Sequence, residues 1–223
     1  MKQLIIVSTV NEILPLVKTL GLNPDIPFSS ITTIRDDLDL LITGVGIPST
    51  SFCLTRTLAK QTFDRVIQIG VAGSYKRDIP LASLNEVGSD CFADLGIDDR
   101  GQFISLFESG LAELNQEPFI NGRIINQDKG LTGLPLVDSI TVNTVSGSRQ
   151  IIEQRISGFN PDIETMEGAS SFYVCKMMGV SVLQVRAISN FVEPRNRDAW
   201  ELNMAINNLN NWLAEFINAE EGK

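Results

Sequence analysis

Four short apolar runs divide the chain and indicate its fold. Residues 2–8 (KQLIIVS) hold a nearly continuous apolar stretch, and the pattern returns at 38–43, 65–71 and 180–188. Short runs rich in Ile and Val are typical of strands that are covered on both faces of a parallel sheet. Helical or turn-rich sequence separates these runs, so the rhythm predicts an α/β fold.

The segments between and after these runs predict helices. Residues 48–60 begin with a proline, which suits a first helical turn, and residues 164–178 are followed by a glycine, which suits a helix end. From Leu202 onward, apolar residues recur at spacings of three and four, as in an amphipathic helix. Residues 80–145 are richer in Gly and Asp and predict mixed sheet with long loops.

Composition limits the possible chemistry. The chain has 223 residues, a formal net charge of −9 and no histidine. The lack of histidine excludes Ser-His-Asp and Cys-His catalysis and removes the commonest zinc ligand. The negative charge opposes binding to nucleic acid or to an anionic membrane. We therefore expect a small-molecule ligand, with no metal, no cofactor, no nucleic acid and no membrane partner.

Neither an export signal nor a membrane span is predicted. Asn11 and Glu12 interrupt the N-terminal apolar run before any small-residue cleavage site, and no stretch approaches the roughly 18 apolar residues of a span. Cys53, Cys91 and Cys175 lack metal-ligand spacing and are interpreted as reduced core residues. These features predict a cytoplasmic protein.

Candidate catalytic carboxylates lie near predicted strand ends. Glu12 comes four residues after the first strand breaks at Ser8, at the edge where open α/β sheets bind ligands. Alternatively, its negative charge interacts favourably with the dipole at the start of a helix that Asn11 caps. Glu164 and Glu167 begin an otherwise apolar helix, where they either meet a partner such as a ribose diol or complement the helix dipole. The residues alone leave both pairs of alternatives open.

Other strands are followed by glycine-rich or polar segments. Residues 44–46 (GVG) and 70–74 (GVAGS) are predicted turns that let a ligand approach the backbone, although neither matches a dinucleotide or Walker motif. The last strand runs out at 186–190 (RAISN), and residues 191–200 are polar and aromatic. Polar groups are thus expected at the ligand-binding edge.

Taken together, four pieces resemble the nucleoside phosphorylase and nucleosidase superfamily. They are Glu12, the GVAGS segment at 70–74, the TMEGAS helix start around Glu167 and RAISN at 186–190, and they match in order and spacing across nearly the whole chain. Methylthioadenosine nucleosidases have RAISD, so Asn190 replaces their Asp. The stretch RAISNFVEPRNRDAW and the MEGA spelling are similar to the futalosine hydrolase branch.

This resemblance implies a fold and an activity. The fold is a single-domain three-layer α/β/α arrangement over 1–223 with a central mixed sheet, nucleoside phosphorylase-like. The activity is hydrolysis of futalosine to hypoxanthine and dehypoxanthine futalosine in the alternative route to menaquinone. The resemblance also implies a homodimer or larger homo-oligomer, in which a neighbour's loop near 103–107 closes the pocket.

It further implies roles for individual residues. Glu12 would activate the attacking water, Glu167 would bind the ribose hydroxyls and Met166 would pack against the sugar. The oxocarbenium-like state of ribosidic cleavage needs such polar groups on two faces. Asn190 would donate a hydrogen bond to O6 of the base and accept one from a protonated N7, which favours a 6-oxopurine over adenine.

The remaining predicted contacts concern the base and the far end of futalosine. The predicted base-binding wall comprises Val71, Ala72, Gly73, Thr144 and Val145. Futalosine carries a benzoate-type carboxylate on its ribose substituent, which Arg195 or Arg197 would bind. Solvated arginines are the alternative.

Four other functions stay open at this point. A phosphorolytic enzyme would need cations around its phosphate, and none follows the turn at 44–46, although Arg35 and Arg56 remain conceivable. A methylthioadenosine or adenosylhomocysteine nucleosidase is opposed by Asn190. A non-catalytic nucleoside-binding protein would be expected to lose its acidic groups, and an unrelated flavodoxin-like module would not explain the joint placement of the motifs.

Overall fold

The computed structural model describes residues 1–219, and strands alternate with helices as the apolar pattern predicts. The strands are β1 (Gln3–Val7), β2 (Ile31–Arg35), β3 (Leu38–Ile42), β4 (Arg65–Ser74), β5 (Leu84–Asp90), β6 (Gly96–Asp99), β7 (Gln102–Ser105), β8 (Ile124–Ile125), β9 (Leu136–Thr141), β10 (Ile163–Thr165) and β11 (Ser181–Phe191). The helices are α1 (Val10–Thr19), α2 (Ile47–Leu58), α3 (Arg149–Phe159), α4 (Gly168–Met178) and α5 (Leu202–Ala219), with a short 3-10 helix at Arg197–Ala199. No helix within residues 1–219 is long and apolar enough to cross a membrane.

Nine strands of the described chain form one mixed sheet. Their order is β10-β9-β5-β11-β4-β1-β3-β2, and β8 pairs with β5. The central strands β3, β1, β4 and β11 are parallel, whereas β2 and β5 run antiparallel to β3 and β11. The carboxyl ends of the four parallel strands therefore meet at one edge, where a ligand site is expected.

The two longest strands bend and close part of this sheet into a ring. β4 and β11 pair along their whole lengths, with a bulge between Ile188 and Asn190. Beyond the bulge, the end of β4 pairs with β10, which places Glu164 opposite Gly73. β10 also pairs with β9, so β4, β11, β5, β9 and β10 enclose a common interior. Because bulges increase local twist and bend strands, this one favours closure.

Helices cover both faces of the sheet, which confirms the predicted three-layer α/β/α arrangement. Alternate residues of β1 point to opposite faces, as strand geometry requires. Leu4 and Ile6 pack in one core with α2 and α4, while Ile5 and Val7 pack in the other with α1 and α5. The three cysteines are free and buried, as predicted. One domain over residues 1–223 stays a prediction, and 220–223 lie outside the described residues.

The predicted helix 164–178 begins too early. Residues Ile163–Thr165 form β10, and α4 starts only at Gly168. Glu164 therefore lies in a strand, and its predicted place in the first turn of a helix is wrong. These residues form a strand instead of a helical turn because their backbone pairs with β9 on one side and with β4 on the other. The helix ends as predicted, since Gly179 adopts the left-handed conformation at its C-cap.

Two further local predictions are corrected. Thr9, not Asn11, caps α1, and Glu12 is the third helical residue of a capping box. The GVAGS segment at 70–74 is the second half of strand β4 and not a turn, because β11 and β10 supply backbone partners there. The GVG turn at 44–46 is a loop, in which both glycines have positive φ angles.

Asn210 joins α5 to α1 directly behind the predicted catalytic residue. Its Oδ1 accepts a hydrogen bond from the Leu16 N–H at 3.1 Å, and its Nδ2 donates to the Glu12 carbonyl at 2.8 Å. These two backbone groups pair with each other in a regular helix. Pro15 lies between them and disturbs that geometry, since proline lacks an N–H and crowds the preceding turn. The buried amide of Asn210 thus satisfies both groups.

We expect Asn210→Leu to destabilise the fold, because it leaves the Leu16 N–H and the Glu12 carbonyl buried without their partner. The free energy of unfolding should fall by about 1–3 kcal/mol, measured by urea denaturation at an unchanged m-value. Asn211→Leu, at an exposed position of the same helix, is the control and should change the free energy by less than about 0.5 kcal/mol. Equal urea midpoints for the two variants would contradict the assigned role.

Candidate active site

A cavity of about 240 Å³ opens at the carboxyl edge of the parallel strands. Its inner part is formed by the ends of β1, β4 and β11 and by the start of α4, and its outer part by residues that follow β11. The residues that line it are Ser8, Glu12, Val45, Val71, Ala72, Gly73, Val145, Ser146, Gly147, Glu164, Thr165, Met166, Glu167, Ser189, Asn190, Phe191, Val192, Glu193, Arg195, Asn196, Trp200 and Leu202. Nine of the ten predicted site residues are in this set, and Thr144 is not.

Glu12 serves both as a helix-capping residue and as a cavity-lining carboxylate. Its Oε2 accepts hydrogen bonds from the Thr9 N–H at 3.1 Å and the Thr9 hydroxyl at 2.9 Å, and its Oε1 accepts from the Val71 N–H at 3.3 Å. Burial raises the pKa of Glu12, and the negative charge of Glu167 raises it further, against the lowering effects of Thr9 and Arg186. The two interpretations of Glu12, as a carboxylate at the ligand-binding edge and as a residue that stabilises the start of a helix, are therefore compatible.

Glu167 is a second buried carboxylate that lines the cavity. It is buried at the N-cap of α4, and its Oε1 accepts a hydrogen bond from the Gly46 N–H at 2.8 Å. Gly46 has a φ of 90°, which a side chain would disfavour. The GVG loop after β3 thus fixes the carboxylate that follows β10.

Arg186, which the sequence did not predict as a site residue, lies behind the two carboxylates without lining the cavity. It is fully buried on β11, and its Nε donates to Gln184 Oε1 at 2.9 Å. Burial lowers its pKa, while the negative charges of Glu167, Glu12 and Asp90 raise it. Its Nη2 has no hydrogen-bond partner among residues 1–219. In return, the charge of Arg186 lowers the pKa of Glu12, which favours the charged form of that carboxylate.

A glycine makes room for this arrangement. A Cβ added to Gly70 would overlap Arg186 Nη1 and lie only 3.1 Å from Glu12 Oε1. The guanidinium group and the carboxylate therefore meet over a position that only glycine can occupy. The sequence signal for Arg186 was a charge within the apolar run 180–188, since such a charge is costly unless it is paired.

Asn190 lies at the end of β11, beyond the bulge. Its Oδ1 accepts a hydrogen bond from Ser189 Oγ at 2.8 Å, and its Nδ2 donates to the Phe191 carbonyl at 3.0 Å. These bonds orient the amide beside Gly73, where an added Cβ would lie 3.2 Å from Nδ2. A primary amide has two N–H groups and two acceptor lone pairs, so one of each remains for a ligand.

The wall beside Asn190 comes from two segments. Val71, Ala72 and Gly73 line the cavity from β4, and Val145 lines it from the loop 142–148. Thr144 is exposed at the outside of this loop, where its N–H donates to Asp94 and its carbonyl accepts from Arg155. Its predicted contact with a ligand stays a prediction.

Cationic and aromatic groups lie at the outer end. Arg195 lines the cavity with its guanidinium 6.0 Å from the centre of the Trp200 ring, and Arg197 lies 5.8 Å from that ring without lining the cavity. Arg77 pairs with Glu193 at 2.5 Å and lies over the Phe191 ring. The cavity thus has an acidic inner end, an amide in its wall and an arginine at its mouth.

This arrangement suits hydrolysis at a carbon that acquires positive charge. A carboxylate of raised pKa can take a proton from water, and a second carboxylate can accept hydrogen bonds from hydroxyl groups. Their negative charges stabilise an oxocarbenium-like centre between them, and the amide can bind a departing heterocycle.

Comparison of the amino-acid sequence with those of known proteins finds futalosine hydrolases. The chain is 28% identical to a futalosine hydrolase of Streptomyces coelicolor over 189 residues, which are 81% of this chain and 78% of that one. It is 30% identical to a futalosine hydrolase of Acidothermus cellulolyticus over 187 residues, 79% of this chain and 73% of that one. No protein-family model matches the chain.

Solved structures confirm the nucleoside phosphorylase-like fold. The native futalosine hydrolase of Helicobacter pylori superposes with a TM-score of 0.80 at 18% identity and covers 98% of both chains. A mutant methylthioadenosine nucleosidase of the same organism, with 5'-methylthioadenosine in its active site, superposes with a TM-score of 0.81 at 18% identity and the same coverage. These likenesses show the fold, and the sequence identities above show the family. The chain belongs to the futalosine hydrolase family.

Proposed function

We propose that this protein hydrolyses the N-ribosidic bond of futalosine and releases hypoxanthine and dehypoxanthine futalosine. The observation that carries the proposal is that Glu12 and Glu167 line one cavity together with Asn190, while the buried charge of Arg186 lies behind the two carboxylates. Family membership supports the choice of substrate. The place of this reaction in menaquinone biosynthesis is part of the same proposal.

In the proposed reaction, water attacks C1' of the ribose as the bond to N9 breaks. Glu12 takes a proton from that water, and the buried positive charge of Arg186 lowers the pKa of Glu12, which favours its deprotonated, proton-accepting form. The electron pair of the broken bond leaves with the base, which takes a proton at N7 from solvent water, and the hydroxyl group stays on the sugar. Glu12 then returns its proton to the solvent, so that hypoxanthine leaves as a neutral molecule. The charges of Glu12 and Glu167 stabilise the positive character at C1'.

The substrate is positioned by groups on either side of this bond. Glu167 accepts hydrogen bonds from the ribose hydroxyls, and Met166 packs against the sugar. Asn190 donates to O6 and accepts from the protonated N7, so it stabilises hypoxanthine as a leaving group, whereas an amide does not itself act as an acid. The wall from Val71 to Gly73, together with the segment at 144–145, contacts the base.

The benzoate-type carboxylate of futalosine binds Arg195 in this proposal. Arg195 is the only cationic side chain among the cavity-lining residues of the described chain, and it lies at the outer end, away from the carboxylates. A guanidinium group can bind a carboxylate through two parallel hydrogen bonds. Arg197 does not line the cavity, so Arg195 is the better candidate of the two.

The same charge distribution opposes phosphorolysis. Arg56 donates to the carbonyl and hydroxyl of Ser29, and Arg35 pairs with Asp37 at 2.6 Å. Neither of these two arginines lines the cavity. A phosphate beside Glu12 and Glu167 would meet two negative charges at the inner end of the cavity. Water is therefore the better nucleophile.

The protein's assembly and location are also proposals. We infer a homodimer or larger assembly because apolar side chains are exposed on α4 and on the long loop before β8, among them Met177, Leu111, Leu114 and Ile120. We also propose a cytoplasmic location and one nucleosidase domain over 1–223, and the nine-stranded sheet of the described residues supports the single domain.

Glu12→Gln should abolish release of hypoxanthine from futalosine in phosphate-free buffer, because the amide cannot take the proton from water. We expect kcat to fall by roughly 10²–10⁴-fold, measured by chromatography of the released base. Glu193→Gln, at the outer end of the same cavity, is the control and should stay within about tenfold of the wild type. Cleavage by the wild type only when phosphate is present would instead indicate a phosphorylase.

The acid limb of the pH profile should report Glu12. Only the deprotonated carboxylate accepts a proton, so kcat/KM should be lost as pH falls through a pKa above the ordinary 4.5. Thr9→Val removes the hydroxyl group that stabilises the charged form, so the limb should move to higher pH. Thr33→Val, at an exposed position on β2, should leave the limb unchanged. A limb that moves to lower pH in Thr9→Val would refute the assignment.

Asn190→Asp should change the preference for the base. A carboxylate accepts from the exocyclic amine of adenine but repels O6 of hypoxanthine, so the ratio of kcat/KM for methylthioadenosine to that for futalosine should rise by about tenfold or more. Release of adenine and hypoxanthine from the two substrates measures this ratio. Asn207→Asp introduces the same charge at an exposed position of α5 that does not line the cavity and should leave the ratio unchanged. An equal ratio in both variants would exclude Asn190 as the base-recognition residue.

A further inference from the structure

We propose that the buried ion pair between Arg155 and Glu164 is a positioning device that sets the base side of the cavity. Arg155 Nη1 lies 2.8 Å from Glu164 Oε2, and both side chains are more than nine-tenths buried. Arg155 comes from α3 and Glu164 from β10, so the pair joins a helix to a strand of the sheet. This inference rests on the proposed function, because it concerns binding of the base.

The pair anchors the loop 142–148, which otherwise has little burial. Residues 143–145 of this loop are exposed, and only Ser146 is buried between Val145 and the start of α3. Glu164 accepts hydrogen bonds from the Ser146 N–H at 2.8 Å and the Ser146 hydroxyl at 2.5 Å. Arg155 Nη2 donates to the Thr144 carbonyl at 2.8 Å. Val145 is therefore held on both sides, with its own side chain at the cavity.

A tyrosine completes the network. The Tyr75 hydroxyl donates to Glu164 Oε2 at 2.6 Å and lies 2.8 Å from Ser146 Oγ. Burial raises the pKa of Tyr75, and the neighbouring Glu164 raises it further, so the hydroxyl stays protonated and remains a donor. Glu164 thus receives four hydrogen bonds from three different segments of the chain.

Glu164 also ties this loop to the opposite wall. Across the β10–β4 pairing it lies opposite Gly73, the residue beside the Asn190 amide. Two residues later in the chain comes Met166, and then Glu167. Asp94 holds the outside of the loop through the Asn143 and Thr144 N–H groups. The ion pair holds its inside and so sets the position of Val145 relative to Gly73, which is the width available to a planar base. Neither Arg155 nor Glu164 contacts the carboxylates at the reacting end through any hydrogen bond within residues 1–219.

This role predicts an effect on binding rather than on bond cleavage. Arg155→Lys keeps the charge but loses the fork that reaches both Glu164 and the Thr144 carbonyl. We expect KM for futalosine and the inhibition constant for hypoxanthine to rise at least about tenfold, with kcat within about twofold of the wild type. Glu164→Gln, which retains an acceptor for Ser146, should show a smaller rise in both constants.

A direct measurement of the loop separates this inference from the proposed function. Hydrogen exchange of the ligand-free protein should show amides of residues 143–148 exchanging at least about tenfold faster in Arg155→Lys, while α5 stays protected. This measurement requires no substrate. If the wild type fails to cleave futalosine, the proposed function fails, whereas unchanged loop exchange would overturn the positioning role by itself.

A matched control identifies a purely structural effect. Lys2→Met breaks another ion pair with a buried carboxylate, that of Asp39 at 3.2 Å, at the opposite end of the parallel strands. It should lower the melting temperature without changing KM. If Arg155→Lys behaves in the same way, with a lower melting temperature and wild-type KM, the pair stabilises the fold only and the proposal is wrong.

Discussion

The site depends on the burial of one guanidinium group. Transfer of a charge from water into a protein interior costs several kcal/mol unless partners compensate it. Arg186 is compensated by the negative charges of Glu12, Glu167 and Asp90 around it. Close packing around this group requires glycine at two positions, since an added Cβ at Gly70 would meet Arg186 and Glu12, and one at Gly168 would meet Asp90 and Gln184. The charge that organises the packing at this point also lowers the pKa of Glu12 and favours the charged form of this cavity-lining carboxylate.

The closed part of the sheet turns this charged centre into a binding site. β4 and β11 are long enough to pass the other parallel strands, and β10 closes the ring against the end of β4. Their ends carry Gly73, Asn190 and Glu164, which line the same cavity as the carboxylates Glu12 and Glu167. The active-site geometry is thus a consequence of strand length and of one bulge, more than of any single loop.

Several residues stabilise a helix end or a loop and also line the cavity. This double placement limited what the local sequence could predict about their roles. Glu12 closes a capping box and lines the cavity, so both interpretations of it describe the same side chain. Glu167 ends the connection from β10 to α4, and its side chain accepts a hydrogen bond from the Gly46 N–H. Glu164 was assigned to a helix, although it lies in β10 and anchors a loop from there. This error arose because long-range strand pairing outweighs the local helical pattern at this residue.

The sequence by itself determined the α/β class, the four central strands, the last helix and the set of motifs that resemble nucleosidases, because apolar periodicity and short motifs are local properties of the chain. The absence of histidine likewise narrowed the chemistry to carboxylates, amides and arginines. The tertiary structure decided that β10 is a strand, that GVAGS at 70–74 continues β4, and that Arg186 and Arg155 are buried among acidic partners. These features depend on contacts between residues that lie far apart in the sequence, such as Gly70 with Arg186, and no local pattern specifies such contacts.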